Sequence, residues 1–153
     1  MYKKHASLTY THTELVDAIL TPVEAFSDVY NEITSYPTNA LWDTGAMIYV
    51  ISPEIVSKLK LDIVDTVKIA GINTESLAEI AVFSIRFPND TNIKDVRAAI
   101  CNMPHGNEMI IGMDVITQMD IAITNGGGQT QFSFAIPPFE NRIDFSEKKT
   151  LST

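Results

Sequence analysis

The sequence is poor in cysteine and histidine. Its 153 residues include one cysteine, Cys101, and three histidines, His5, His12 and His105. A single cysteine excludes an internal disulfide, and the histidines are too scattered to have the spacing of a zinc site. We therefore expect an intracellular protein that holds no metal and needs no cofactor.

Basic residues and long apolar runs are also scarce. Lysine and arginine number 11 against 19 aspartates and glutamates, so the formal net charge is -8. No basic cluster stands out to neutralise phosphates, and nucleic acid is not an expected partner. Residues 1–20 have the charged start of a signal peptide without its apolar segment, and no later run approaches membrane-spanning length. These absences predict a soluble cytoplasmic protein without a membrane partner.

The remaining composition predicts one mainly β domain. A chain of 153 residues with 45% hydrophobic content can bury one substantial core but hardly two. Short β-branched runs alternate with turn-forming residues, beginning with Leu15 to Phe26, whose proline indicates an edge position or a break. The polar stretch "YNEITSYPTN", residues 30–39, is expected to be a connection rather than a strand.

One short helix is predicted in "SPEIVSKLKL", residues 52–61. Ser52 is a suitable N-cap, Pro53 suits the first helical position and Glu54 suits the first turn. Apolar residues then recur on one face, at positions 55, 56 and 59. A second, shorter helical pattern follows Gly112 in "EMIIGMDVITQM".

Two hairpins are expected at glycines. The first joins the arms of "DTVKIAGINTESLAEIAVFSIRF" and has its tip near Gly71, Ile72 and Asn73. The second turns at the glycine run 126–128, which lacks the Lys-Ser/Thr of a phosphate-binding loop. The charged segment from Phe139 to Thr153 is expected to be loosely held.

Asp43 stands out because it lies in the apolar stretch "NALWDTGAMIYVIS", residues 39–52. An ionised carboxylate without a partner is costly to bury, so one in such a run is usually paired, hydrogen-bonded or used in chemistry. The flanking β-branched residues place it in a turn between two strands.

This stretch and "MIIGMDVI" resemble the two motifs of the retroviral-type aspartic proteases, or retropepsins. Asp-Thr-Gly-Ala comes first, and two apolar residues with a glycine come later, before a short helix. The resemblance implies an all-β, closed β-barrel fold of the acid protease type, with one or two short helices. It covers residues 15–137, leaving an N-terminal extension at 1–14 and a C-terminal tail at 138–153. The alternative is an unrelated small β protein in which Asp43 caps a turn.

The resemblance also implies roles for these residues. Asp43 would be catalytic, and Thr44, Gly45 and Ala46 would form the active-site turn. The apolar pair and glycine of the second motif would support that turn, namely Ile110, Ile111 and Gly112. Aspartic proteases use two adjacent carboxylates that share one proton, so that one acts as base and the other as acid. The chain has only one Asp-Thr-Gly, so a dyad requires a homodimer with Asp43 of each copy at the twofold axis.

The family order places a flap at the first hairpin, over Gly71, Ile72 and Asn73. The loop Pro88 to Thr91 is the alternative tip. Retroviral members usually carry an acidic residue and an arginine where this chain has Met47 and Met113. We interpret this as joint replacement of an ion pair by two flexible apolar side chains that fill the same contact.

Two functions are compatible with this sequence. The first is a homodimeric aspartic endopeptidase that cleaves an extended peptide at apolar residues. The alternative is a catalytically inactive dimeric module that binds peptides or serves as a scaffold. A serine or cysteine nucleophile is not expected, because no Gly-x-Ser-x-Gly elbow occurs and Cys101 fits a small buried core residue.

Trp42 requires a hydrogen-bond partner for its indole N–H.

Overall fold

A computed structural model describes residues 6–29, 32–70, 75–139, 143, 144 and 146. The described residues form ten strands and two α-helices, in the order β1 (Ala6–Thr11), β2 (Ile19–Val29), β3 (Glu32–Trp42), β4 (Tyr49–Ile51), α1 (Pro53–Leu59), β5 (Ile63–Ala70), β6 (Glu75–Arg86), β7 (Asn92–Ile100), β8 (Met109–Ile111), α2 (Met113–Ile116), β9 (Asp120–Gly126) and β10 (Gln129–Ile136). The prediction of a mainly β chain with one or two short helices is confirmed. None of the helices in these ranges is long and apolar enough to cross a membrane.

Seven strands form one sheet that closes on itself. Their order is β2-β3-β8-β4-β7-β6-β5, and β2 pairs in addition with β6 through Glu24 to Phe26. This second pairing joins the two ends of a six-stranded ring and leaves β5 outside it. A ring of this kind encloses one core, as expected for a small closed barrel.

The order of strands brings the two sequence motifs together. Strand β8 lies between β3 and β4, parallel to β3 and antiparallel to β4. The parallel pairing aligns Trp42 with Ile111, so both strands end at the same edge of the sheet. The loop that follows β3 therefore lies beside the glycine that follows β8.

The core contains an aromatic cluster that joins the ring to a second, three-stranded sheet, β1-β10-β9. Trp42 of β3 lies 4.6 Å from Phe132 of β10, measured between ring centroids, and 6.1 Å from Phe87. The indole Nε1–H donates to the hydroxyl of buried Thr21 at 2.9 Å, which supplies the partner that the sequence required. Burial of the Trp42 ring thus leaves no unpaired donor on it.

Helix α1 has the N-terminal cap that the sequence predicts. The Ser52 hydroxyl accepts a hydrogen bond from the Ile55 N–H at 3.3 Å, and Pro53 occupies the first turn. Ile55 and Leu59 are buried on the inner face. The helix ends at Lys60, whose φ of 54° is left-handed and stops further helical hydrogen bonding. The sequence was sufficient to predict the start of this helix because each of the capping residues acts within one helical turn.

The predicted connection at residues 30–39 is wrong. From Glu32 onward this segment belongs to β3, which pairs with β2 along its whole length. Pro37 is tolerated because β8 pairs with β3 only from Ala40 to Trp42, so no described strand needs an N–H from position 37 on that side. Pro22 in β2 is tolerated for the same reason, because β6 pairs with β2 only from Glu24 to Phe26 and needs no N–H from position 22.

The chain ends contribute to the three-stranded sheet. Strand β1, within the predicted extension 1–14, pairs antiparallel with β10. Strands β9 and β10 turn at Gly127 and Gly128, whose φ values of 61° and 78° favour glycine, as the prediction of a hairpin requires. Most of the predicted tail 138–153 lies outside the described residues, and the domain boundaries stay a prediction.

Candidate active site

The loop between β3 and β4 carries Asp43 and is held by the backbone of β8 and α2. The Asp43 N–H donates to the Ile111 carbonyl at 3.1 Å. The Ala46 carbonyl accepts from the Met113 N–H at 2.8 Å, and the Met47 carbonyl accepts from the Asp114 N–H at 3.2 Å. These bonds fix the loop at both ends, so the position of Asp43 is set by backbone geometry.

The Asp43 carboxylate is half-buried and is oriented by its own turn. Its Oδ1 accepts a hydrogen bond from the Gly45 N–H at 2.8 Å, and its carbonyl accepts from the Ala46 N–H at 3.2 Å. A Cβ at position 45 would stand 3.1 Å from that Oδ1, so glycine gives the carboxylate room. No described residue donates to Oδ2, and both Thr44 and Gly45 are exposed. The turn thus orients the carboxylate through Oδ1.

Gly112 lies against the loop where no side chain fits. A Cβ there would stand 2.6 Å from the Ile48 carbonyl oxygen and 2.9 Å from that of Ala46. Ile111 before it is fully buried, and Ile110 is half-buried. Ile111 and Gly112 thus contact the Asp43 loop directly, whereas Ile110 pairs with Leu41 and Val50 in the strands on either side of that loop.

Asp114 is a further residue beside this loop, for which the sequence predicted no role. Its Oδ2 accepts from the Tyr49 N–H at 2.9 Å, and its Oδ1 accepts from the Val115 N–H at 3.0 Å. It therefore joins the end of the Asp43 loop to the start of α2. Burial raises the pKa of the Tyr49 phenol well above its ordinary value, and the Asp114 carboxylate adds to the rise. Asp114 could have been found from the sequence as an acidic residue in the first turn of a predicted helix, where a negative charge is favourable.

We expect Asp114→Ala to lower the free energy of unfolding by about 2 kcal/mol, because the Tyr49 N–H loses its acceptor and the Val115 N–H keeps only its bond to the Gly112 carbonyl. Asp114→Asn keeps one carbonyl acceptor and should lose about half as much. Urea denaturation followed by tryptophan fluorescence measures both changes. The control is Asp62→Ala, at an exposed position with no described partner. Equal stability of all three variants would contradict the assigned role.

A cavity of about 580 Å³ opens beside the loop. Residues 45–48 line one side, and β5, β6 and β7 line the other. A second cavity, of about 340 Å³, lies next to Asp43 and Thr44 themselves. Its other walls are mostly apolar and include Ile121, Ile123 and Phe132. The carboxylate thus stands next to one groove, while the turn that follows it borders another.

Comparison with known proteins agrees with this geometry. Residues 29–118, more than half of the chain, match the family described as "gag-polyprotein putative aspartyl protease". The chain belongs to this aspartyl protease family. Its structure is similar to the crystal structure of a retropepsin-like aspartic protease from Rickettsia conorii, with a TM-score of 0.53. The two share 16% identity over 89% of this chain and 98% of the other, so this likeness shows the fold. No curated protein sequence matches the chain.

The flap expected of an aspartyl protease falls at Gly71, Ile72 and Asn73, which lie outside the described residues. The strands leading to it are β5 and β6, and both border the 580 Å³ cavity. The alternative tip, Pro88 to Thr91, is a tight turn closed by a hydrogen bond from the Phe87 N–H to the Thr91 carbonyl. Its Asn89 side chain donates to the Ser7 carbonyl at 2.6 Å. That turn therefore lies against β1 and does not line the cavity.

The two methionines that depart from the retroviral pattern have different surroundings. Met47 is 73% exposed and lines the cavity, whereas Met113 packs against the main core. The interpretation that both side chains fill one contact is therefore not supported. Hydrogen bonds between backbone groups join the two segments instead, from Met113 to Ala46 and from Asp114 to Met47.

Cys101 is only partly buried, although we expected a buried residue. It packs against a small apolar cluster around Ile80 and Ala99, and burial raises the pKa of its thiol. A raised pKa leaves less of the nucleophilic thiolate at neutral pH. In the described ranges, no group of three or more His, Cys, Asp or Glu side chains is placed to hold a metal ion.

Proposed function

We propose that the protein is a homodimeric aspartic endopeptidase in which Asp43 of each copy forms the catalytic dyad. One observation carries the proposal: the Asp43 carboxylate lies on a loop fixed from both ends, with Oδ1 held by Gly45 and Oδ2 without a described donor. Such a group is oriented yet accessible, as a catalytic carboxylate must be. Membership of an aspartyl protease family supports the same reaction.

The chemistry follows from the repulsion between two close carboxylates. Both cannot ionise together, so the pair holds one proton. The ionised member takes a proton from a water molecule, and the water oxygen attacks the peptide carbonyl. The protonated member donates its proton to the carbonyl oxygen. As the intermediate collapses and the C–N bond breaks, the carboxyl group that took a proton from water gives it to the leaving nitrogen. A hydroxyl of the intermediate returns its proton to the other carboxylate, which restores the pair. Neither metal nor covalent intermediate takes part in these steps.

The surface around Asp43 supports association with a second copy. The 340 Å³ cavity at Asp43 and Thr44 has mostly apolar walls. Ile123 in its wall is 50% exposed, and Leu20, which pairs with the lining residue Leu41, is 37% exposed. Burial of such side chains favours association by about 25 cal/mol for each Å² of apolar surface. A copy that covers this surface would place its own Thr44 and Asp43 opposite the first.

The larger cavity supports binding of an extended peptide. It runs between the turn that follows Asp43 and the strands β5 and β6, whose hairpin would form the flap over Gly71, Ile72 and Asn73. A peptide lying there can pair with backbone groups and place alternate side chains in the cavity. Most of the cavity surface is apolar, which favours cleavage at apolar residues.

We expect the specific activity to fall on dilution, because each monomer holds half of the dyad. Cleavage of a varied peptide set is measured by mass spectrometry from acidic to neutral pH, over a wide range of protein concentrations. Sedimentation gives the monomer and dimer fractions at the same concentrations. Activity should follow the dimer fraction. An active monomer would refute the dyad, and a dimer that cleaves no peptide would favour the inactive binding or scaffold module.

A further inference from the structure

One face of the sheet forms the floor of the 580 Å³ cavity. Asp65, Ile80, Ala99 and Val50 are aligned across the neighbouring strands β5, β6, β7 and β4. Directly paired residues have their side chains on the same face of a sheet. Val50, Ile80 and Ala99 line the cavity, so this face is turned towards it. Asp65 lies at the end of the row, on the last strand of the sheet.

The side chains on this face are mostly apolar. Ile80 and Ala99 are buried, and Ile48, Val67 and Ile69 pack against them while staying half-buried. The half-buried side chains leave apolar surface that a large apolar occupant could cover, and removal of such surface from water is favourable. The lining thus favours an apolar occupant through its contact surface.

An ion pair crosses the same face. Arg97 lies two residues before Ala99 on β7, so its side chain is on the face of Ala99, and it lines the cavity. Its Nη2–H donates to Asp65 Oδ2 at 2.6 Å. Strand β6 lies between β7 and β5, so this contact reaches over β6. The positive charge of Arg97 is therefore paired at the cavity itself.

The other charged residues of the lining offer no free partner. Lys68 lies between Val67 and Ile69, so its side chain points to the opposite face of β5. Asp114 already accepts backbone N–H groups on both of its carboxylate oxygens. A charged occupant would lose water without gaining an unpaired counter-charge among the described residues, which is unfavourable.

We propose that the Arg97–Asp65 ion pair is a specificity determinant that keeps this cavity selective for a large, uncharged, apolar side chain of the substrate. The inference rests on the proposed peptidase function. Gly45 and Ala46 follow Asp43 directly and line the cavity, so its occupant belongs to a residue close to the cleaved bond. Removal of one charge of the pair leaves the other unpaired beside the occupant, and the selectivity should change accordingly.

The first test uses peptides that differ only in Leu, Ala, Glu, Gln or Lys, placed in turn at each position flanking a cleavable apolar pair. At about pH 6 the glutamate is ionised and the lysine is protonated, because their ordinary pKa values are about 4.3 and 10.4. At one position we expect kcat/KM for Leu to exceed that for Ala, Glu and Lys about tenfold. Equal values for Leu, Glu and Lys at every position would overturn the proposal.

Neutral substitutions in the pair test the role of its charges. Asp65→Asn leaves Arg97 unpaired, so the ratio of kcat/KM for Glu to that for Gln should rise about threefold at that position. Arg97→Gln leaves Asp65 unpaired and should raise the ratio for Lys to Gln by a similar factor. The double variant should return both ratios close to their native values. A purely structural role would change kcat/KM for all peptides alike, so unchanged ratios in both single variants would overturn the proposal.

Arg86 and Glu24 supply the matched control. Their ion pair, 2.9 Å long, joins β6 to β2, and neither residue is among the described residues that line the cavity. Arg86→Gln and Glu24→Gln should leave all ratios unchanged. Added salt should reduce the ratio changes in the Asp65→Asn and Arg97→Gln variants by screening. Equal shifts in the control variants would indicate a general effect of surface charge and contradict the assignment to this cavity.

Failure of the two proposals can be told apart. If the unmodified protein cleaves no peptide, the peptidase proposal fails, and the cavity is tested by fluorescence anisotropy with labelled Leu, Ala, Glu and Lys peptides. Tightest binding of the Leu peptide, with a gain for Glu in Asp65→Asn and for Lys in Arg97→Gln, would support the cavity assignment alone. Equal binding of all four peptides, or binding of none, would overturn it.

Discussion

Peptide cleavage should be lost, by a factor of about 10³ or more, when Asp43 is replaced by asparagine. The amide cannot act as a base, and positioned acid and base groups commonly contribute 10² to 10⁴ in rate. The fold should persist because the asparagine carbonyl can still accept the Gly45 N–H, which lies 2.8 Å from Oδ1 in the native chain. Activity is measured by mass spectrometry of peptide products, and folding by circular dichroism.

The proposed homodimer offers a second, sharper readout of the same variant. Excess Asp43→Asn protein mixed with the unmodified protein should suppress activity, because mixed dimers hold one carboxylate. A matched Asp62→Asn variant, at an exposed aspartate away from the loop, should neither lose activity nor suppress it. Normal cleavage by Asp43→Asn protein would refute the catalytic assignment. Loss of the dimer in the Asp43→Asn variant would instead indicate that Asp43 has a structural role.

The parts of the fold that sequence could predict depend on neighbours along the chain. Ser52 caps α1, and Pro53 and Glu54 follow it in the first turn of the helix. The turn at Asp43 is similar, because Gly45 contacts the carboxylate two residues before it. Such features can be predicted from the sequence because they involve only residues close along the chain, and no distant contact has to be known.

The parts that sequence missed depend on partners far along the chain. Residues 32–39 are more polar than is typical of a strand. They nevertheless belong to β3, because β2 pairs with them antiparallel over their whole length. Asp114 is similar: its Oδ2 binds the N–H of Tyr49, a residue 65 positions away. Strand pairing and such contacts are set by tertiary packing, which overrides local propensity.

A methyl group added at Gly112 should destabilise the fold by about 3 kcal/mol and impair the active-site loop. In the native backbone the new Cβ would stand 2.6 Å from the Ile48 carbonyl oxygen and 2.9 Å from that of Ala46. These are backbone atoms, so relief requires the loop itself to move, and overpacking of this kind commonly costs 1–3 kcal/mol. Urea denaturation of the Gly112→Ala variant measures the loss.

Gly126→Ala is the matched control, because the Cβ of that substitution meets no atom within 4 Å. Its stability should change by less than about 0.5 kcal/mol. Displacement of the Ala46 carbonyl would also weaken its bond to the Met113 N–H, 2.8 Å long in the native chain, and so shift Asp43. Activity of the Gly112→Ala variant should therefore fall even in conditions where the protein is fully folded. If Gly112→Ala and Gly126→Ala proved equally stable and active, close contact at Gly112 would not be what holds the loop in place.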